Sequence, residues 1–166
     1  MSNASYYSLL NTGDLYGDMV GAVTATPPVA ITGATLTCNR DIHGGRVTAI
    51  NAAAGCAVTL PNATGTGAEY RFFIGTTITS NSTTIKVNNA TDVMSGRAFV
   101  ISDNSAAVLG YATASTDDTI TLNGTTLGGY AGDIIEIIDA YPGIFQVKVL
   151  TKATGTEATP FSATVS

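Results

Sequence analysis

Between Ala57 and Gly75 the chain spells out a strand, a reversal and a second strand. Val58 to Leu60 is a short apolar run that stops at Pro61, a residue that cannot donate to a sheet ladder. Gly65 and Gly67 then supply the positive φ angles that a reversing loop requires. Beyond them Tyr70, Phe72 and Ile74 fall on one face of a strand and Arg71 and Phe73 on the other. The remainder of the chain repeats this pattern of short β-branched or aromatic runs between Gly, Asn, Asp and Pro clusters.

A chain of 166 residues is the size of one ordinary domain and can bury a substantial core. Only 11% of its residues are charged, against about a quarter in a typical globular protein, while Thr numbers 27 and Gly 18. So few charges suit a surface coated with neutral polar groups or hidden in contacts with partners, as in a component of a large assembly. The net charge of −5 and only 7 scattered Lys and Arg speak against nucleic acid as a partner. No run of 18 apolar residues is present, and Met1-Ser2-Asn3-Ala4-Ser5 lacks the basic and apolar regions of a secretion signal. No membrane partner is therefore expected, and folding is expected in a cytoplasm.

Residues 1–30 read as an extended N-terminal arm. Gly13, Gly17 and Gly21 rule out a stable helix and no strand alternation is visible. Tyr6, Tyr7, Leu9, Leu10, Leu15 and Tyr16 are too many large apolar groups for a solvated tail, and suit an arm that orders along another subunit. Pro27-Pro28 marks a hinge. Residues 31–150 then predict an all-β fold, an antiparallel β-sandwich or barrel of about ten short strands without a helix. Asp41 to Gly45 reads as a turn, and Asn123-Gly124 as a hairpin joining Thr119–Leu122 to Thr125–Leu127. Asp133–Asp139 is apolar on both faces, as in a strand covered on both sides, and forms a central hairpin with Ile144–Leu150 across Tyr141-Pro142-Gly143. Turn spacings are uneven, which favours a globular sandwich over a solenoid. Thr151–Ser166 reads as a C-terminal tail, with Pro160-Phe161 a final anchor.

Candidate chemistry is sparse. His43 sits in a polar turn with no Gly-x-Ser-x-Gly elbow in the chain, so an exposed turn residue is expected rather than a base; a hydrolase built on His43 and the turn aspartates ranks last. Cys38 and Cys56 lack metal-ligand spacing and are expected as free buried thiols. Asp92, Asp103, Asp117, Asp118 and Asp133 lie near turns without the Asp-x-Asp-x-Asp-Gly pattern of a calcium loop. With no Trp, a glycan cleft is also disfavoured. No cofactor, metal or catalytic residue is expected. Five Asn-x-Ser/Thr triplets, at Asn3, Asn62, Asn81, Asn89 and Asn123, read as turn chemistry.

Gly55-Cys56-Ala57-Val58-Thr59-Leu60-Pro61, the loop Ala63–Gly67, Tyr70–Thr76 and Ile85-Lys86-Val87, together with Gly132–Ile137 and Phe145–Val149, resemble small β-rich virion structural proteins of tailed bacteriophages. The likeness covers about residues 40–150. It implies a non-enzymatic capsid decoration, or cement, protein on the capsid surface, made in the host cytoplasm and acting as a homo-oligomer, by the resemblance a trimer. Its implied partner is the major capsid protein, whose junctions it reinforces in the expanded head. Tyr6, Tyr7, Leu9, Leu10, Leu15 and Tyr16 are then the capsid-contacting arm. The alternative is a head-fibre, tail or baseplate adhesin that binds host surface glycan through loops 62–67 and 102–106.

Overall fold

A computed structural model describes residues 27–165, so the arm residues Tyr6 to Tyr16 lie outside the described residues. Twelve strands form: β1 (Val29–Ile31), β2 (Thr35–Thr37), β3 (Val47–Ile50), β4 (Ala57–Thr59), β5 (Glu69–Ile74), β6 (Thr83–Lys86), β7 (Val93–Ser102), β8 (Val108–Ala112), β9 (Thr119–Leu122), β10 (Ile134–Tyr141), β11 (Ile144–Ala153) and β12 (Phe161–Ser162). One sheet has seven strands in the order β1-β3-β5-β10-β11-β7-β8 and the other five in the order β12-β9-β6-β4-β2. The fold is all-β, as the sequence predicts, but its sheets are mixed rather than antiparallel: β1–β3, β3–β5, β11–β7, β2–β4 and β4–β6 all pair in parallel.

Four of the five parallel pairs share one origin, and the fifth, β7 against β11, lies after it in the chain. From β1 to β6 the chain alternates between the sheets, odd strands adding to one and even strands to the other, so residues 29–86 wind as a two-sheeted coil. Val29 pairs with Thr48 and Val47 with Arg71, offsets of 19 and 24 residues; Thr35 pairs with Ala57 and Ala57 with Thr84, offsets of 22 and 27. Loops of unequal length absorb the differences, which is why turn spacing conceals the coil. After β6 the strands return antiparallel, β9 against β6 and β10 against β5, and close the sandwich.

The core lies between the sheets. Tyr70, Phe72, Ile74, Ile135, Ile137, Phe145, Val147 and Val149 from the larger sheet face Val58, Ile85, Ile120 and Leu122 from the smaller. Alternation is near perfect in β11, where every second residue from Phe145 to Ala153 is buried. The expected central hairpin is present: β10 and β11 pair through seven positions in the middle of the larger sheet. Within the expected tail, β11 continues to Ala153 and Phe161 is buried in β12 beside Ile120.

Two local expectations are corrected. The turn at residues 41–45 is instead one turn of helix, α1 (Arg40–His43), because Asn39 caps it by accepting from the Asp41 N–H at 2.8 Å. The Asn123-Gly124 hairpin does not form. The Asn123 side-chain oxygen accepts from the N–H groups of Thr125 and Leu127, the Gly124 N–H bonds the Gly128 carbonyl, and β9 takes β6 and β12 as neighbours. The local side-chain acceptor outcompetes the hairpin turn.

Candidate functional site

The sequence-derived candidates resolve into structural roles. His43 is buried rather than exposed, because the helical turn folds it inward until its Nδ1 lies 3.0 Å from the Asn39 backbone nitrogen. Cys38 and Cys56 are free and buried. They flank the three paired positions of β2 and β4, at opposite ends, which at about 3.3 Å per residue exceeds the roughly 7 Å a disulfide spans. Burial pushes the Cys38 thiol up to about 12, with the Cys56 sulfur adding to the effect, and burial also raises Cys56. Neither is a nucleophile at neutral pH.

Four of the five turn aspartates are buried, and each anchors backbone. Asp92 accepts from the Ala63 N–H at 2.7 Å, and Asp117 from that of Ala114 at 2.7 Å. Asp118 accepts from Thr164 and Val165, tying down the end of the chain. Asp133 accepts from the N–H groups of Gly129, Tyr130 and Lys152 and from the Thr151 hydroxyl. Asp103 stays exposed.

The most heavily bonded carboxylate, Asp139, is absent from the sequence-derived candidates. It points inward from β10 at 1% exposure and gathers the loop that follows Pro61. It accepts from the N–H groups of Thr64 (2.9 Å), Gly65 (2.7 Å) and Thr66 (3.1 Å) and from the Thr66 hydroxyl (2.6 Å), while Arg40 Nη2 stands 3.9 Å away. Burial alone raises its pKa, but bonds from Thr66, Gly65 and Thr64 outweigh it and hold the carboxyl below its ordinary range. Successive N–H groups converging on an anion form a nest, here filled by the protein's own side chain.

What is left unsatisfied is a surface. On the outer face of the seven-stranded sheet, Ala30, Ala49, Phe73, Ile134, Leu150, Phe99 and Gly110 stand in register, one on each strand from edge to edge. The four large members are 36–44% exposed, and Ile101 (45%) and Val108 (58%) extend the row on β7 and β8. Single exposed apolar residues are ordinary; a row continued across a whole sheet is the pattern that marks contact faces in other proteins. The expectation that Asp133–Asp139 is covered on both sides is corrected here: among the described residues, nothing lies over Ile134.

A charged row runs alongside, two residues further along each strand: Arg71, Glu136, Lys148 and Arg97. Glu136 is bracketed by Arg71 at 3.4 Å and Lys148 at 3.2 Å, while Arg97 has no carboxylate within ion-pair distance among the described residues. With Lys152 and Glu69, the face carries four cations against two carboxylates, although the whole chain is negative. Beside Gly96 the face dips into a depression of about 290 Å³ lined by Ser95, Arg97, Phe99, Gln146 and Lys148. The smaller sheet's outer face differs in kind: Thr35, Ala57, Thr84 and Thr121 form one row and Thr37, Thr59, Lys86 and Thr119 the next. The chain matches no known protein family, no curated protein and no solved structure.

Proposed function

We propose that the protein is a non-enzymatic virion structural component of the capsid decoration type: a homo-oligomer, by the family resemblance a trimer, that sits at junctions of major capsid proteins and stabilises the expanded head. The observation that carries this reading is the apolar row on the outer face of the seven-stranded sheet. A face of this width gains most of its stabilisation when protein covers it, whether sister copy or shell, and closed symmetry repeats the gain at every junction. The organisation of the carboxylates supports the same reading. Asp92, Asp117, Asp118, Asp133 and Asp139 accept bonds from the loops around them and stiffen the body that presents the face.

A second reading rests on Tyr141, which is 66% exposed beside the rigid loop 62–67, where Thr64 bridges Pro142. An exposed ring next to a fixed polar loop suits a sugar face, as in a head-fibre, tail or baseplate adhesin.

Co-sedimentation with expanded, undecorated capsids of the parent virus separates the two. The decoration role predicts saturable binding at a fixed copy ratio. Absence of binding, with attachment to host cells instead, would move the assignment to the adhesin.

A further inference from the structure

The outer face of the seven-stranded sheet has no occupant among the described residues, and three features of the chain point to one. Residues 1–26 contain Asp14 and Asp18, no Lys and no Arg, and the apolar Leu9, Leu10, Leu15 and Tyr16 around them. An acidic, apolar segment of this kind complements an apolar row edged by surplus cations. Its point of entry is also defined. The Pro27 carbonyl accepts from Arg46 Nη2 at 2.6 Å, so the chain joins edge strand β1 at the level of the charged row.

The third feature is direction and reach. Pro28 restricts Pro27 to extended conformations, so the chain enters β1 along the strand axis. Twenty-six extended residues span up to about 85 Å, whereas seven strands are roughly 29 Å wide. The segment is long enough to leave one copy and cross the sheet of the next.

We propose that residues 1–26 of a neighbouring copy lie across the outer face of the seven-stranded sheet, so that copies are joined by exchanged N-terminal segments. This rests on the reading of the protein as a multi-copy assembly component, and it places Leu9, Leu10, Leu15 and Tyr16 on a sister copy rather than on the shell. Asp14 and Asp18 meet Arg97 and Lys148, and the leucines and tyrosine cover Phe73, Ile134, Leu150 and Phe99.

Charge reversal in the full-length protein tests this, because every residue changed on the sheet is exposed and none supports the core. Mass photometry over a concentration series would compare the unmodified chain, R97E/K148E, D14K/D18K and the combination of all four. Self-association is expected to weaken about tenfold or more in each double variant and to recover in the combination. A monomeric unmodified chain, unchanged association in either double variant, or failure of the combination to recover would overturn the proposal. Capsid co-sedimentation of the unmodified chain is read separately: an oligomer that recovers as described but binds no capsid contradicts the decoration role and leaves the exchanged segments standing.

Discussion

Replacing Asp139 with alanine is expected to lower the free energy of unfolding by about 3–4 kcal/mol, read from the midpoint of urea denaturation. The substitution removes the acceptor for three backbone N–H groups, those of Thr64, Gly65 and Thr66, which converge on one carboxylate that is itself 1% exposed. A donor left without a partner costs about 1–3 kcal/mol where water cannot reach it, and because Thr64, Gly65 and Thr66 are exposed on their loop, water returns part of that. Asp139→Asn keeps one oxygen acceptor and should fall between. Asp103→Ala, at an exposed loop position, should stay within about 0.5 kcal/mol of the unmodified protein.

The same carboxylate gives stability a pH dependence of known sign. Because folding holds the Asp139 carboxyl below its ordinary range, its contribution is complete above the ordinary carboxylate pKa. It is lost as pH falls through the lowered folded value, where the native state must also take up the proton. In Asp139→Ala the acid limb of the stability profile should be shallower than in the unmodified chain. Equal slopes would show that the nest does not favour the ionised form.

Gly96→Ala should be among the more damaging single-methyl changes, costing about 2–3 kcal/mol and lowering the denaturation midpoint. Gly96 lies in β7 opposite Val147 of β11, and a Cβ there would run into the Val147 carbonyl and its Cγ2. The obstacle is backbone, so no rotamer change relieves it. β7 and β11 pair over ten positions, the longest ladder in the molecule, and parting them at the middle disturbs both sides. The neighbouring Ser95→Ala, which faces out, is the control and should be near neutral.

The strands themselves were legible because period-two alternation is a local property: Glu69–Ile74 and Ile144–Leu150 show their buried faces without reference to any partner. Their order was not legible. Parallel pairing of β1, β3 and β5 is decided by residues 19 to 24 positions apart, and loops of different length erase the period that would reveal it. Asn123-Gly124 misleads for a related reason, since a hairpin signal reports local turn preference, whereas the Asn123 side chain found two nearer donors. The role of Asp139 is not legible in the sequence because its partners lie more than 70 residues away, in a loop whose glycines read only as a reversal.

The outer face lay in between. Phe72-Phe73, Ile134-Ile135, Phe99-Val100 and Val149-Leu150 are adjacent apolar pairs, and adjacency in a strand places one member on each side of the sheet. The sequence thus marks these strands as apolar on both faces. Only the register shows that the outward members Phe73, Ile134, Phe99 and Leu150 align into one row. Coverage of β10 on its outer side is absent from the single chain among the described residues and is expected only if copies or partners pack there.

Hydroxyl-radical footprinting of the dilute protein and of its assembled form tests this central claim most directly. If the outer face of the seven-stranded sheet is an assembly interface, Phe73, Phe99 and Leu150 should be oxidised in the dilute chain and protected on assembly. Tyr141, away from the row, should be oxidised equally in both. Full oxidation of Phe73, Phe99 and Leu150 in the assembled form would contradict the account.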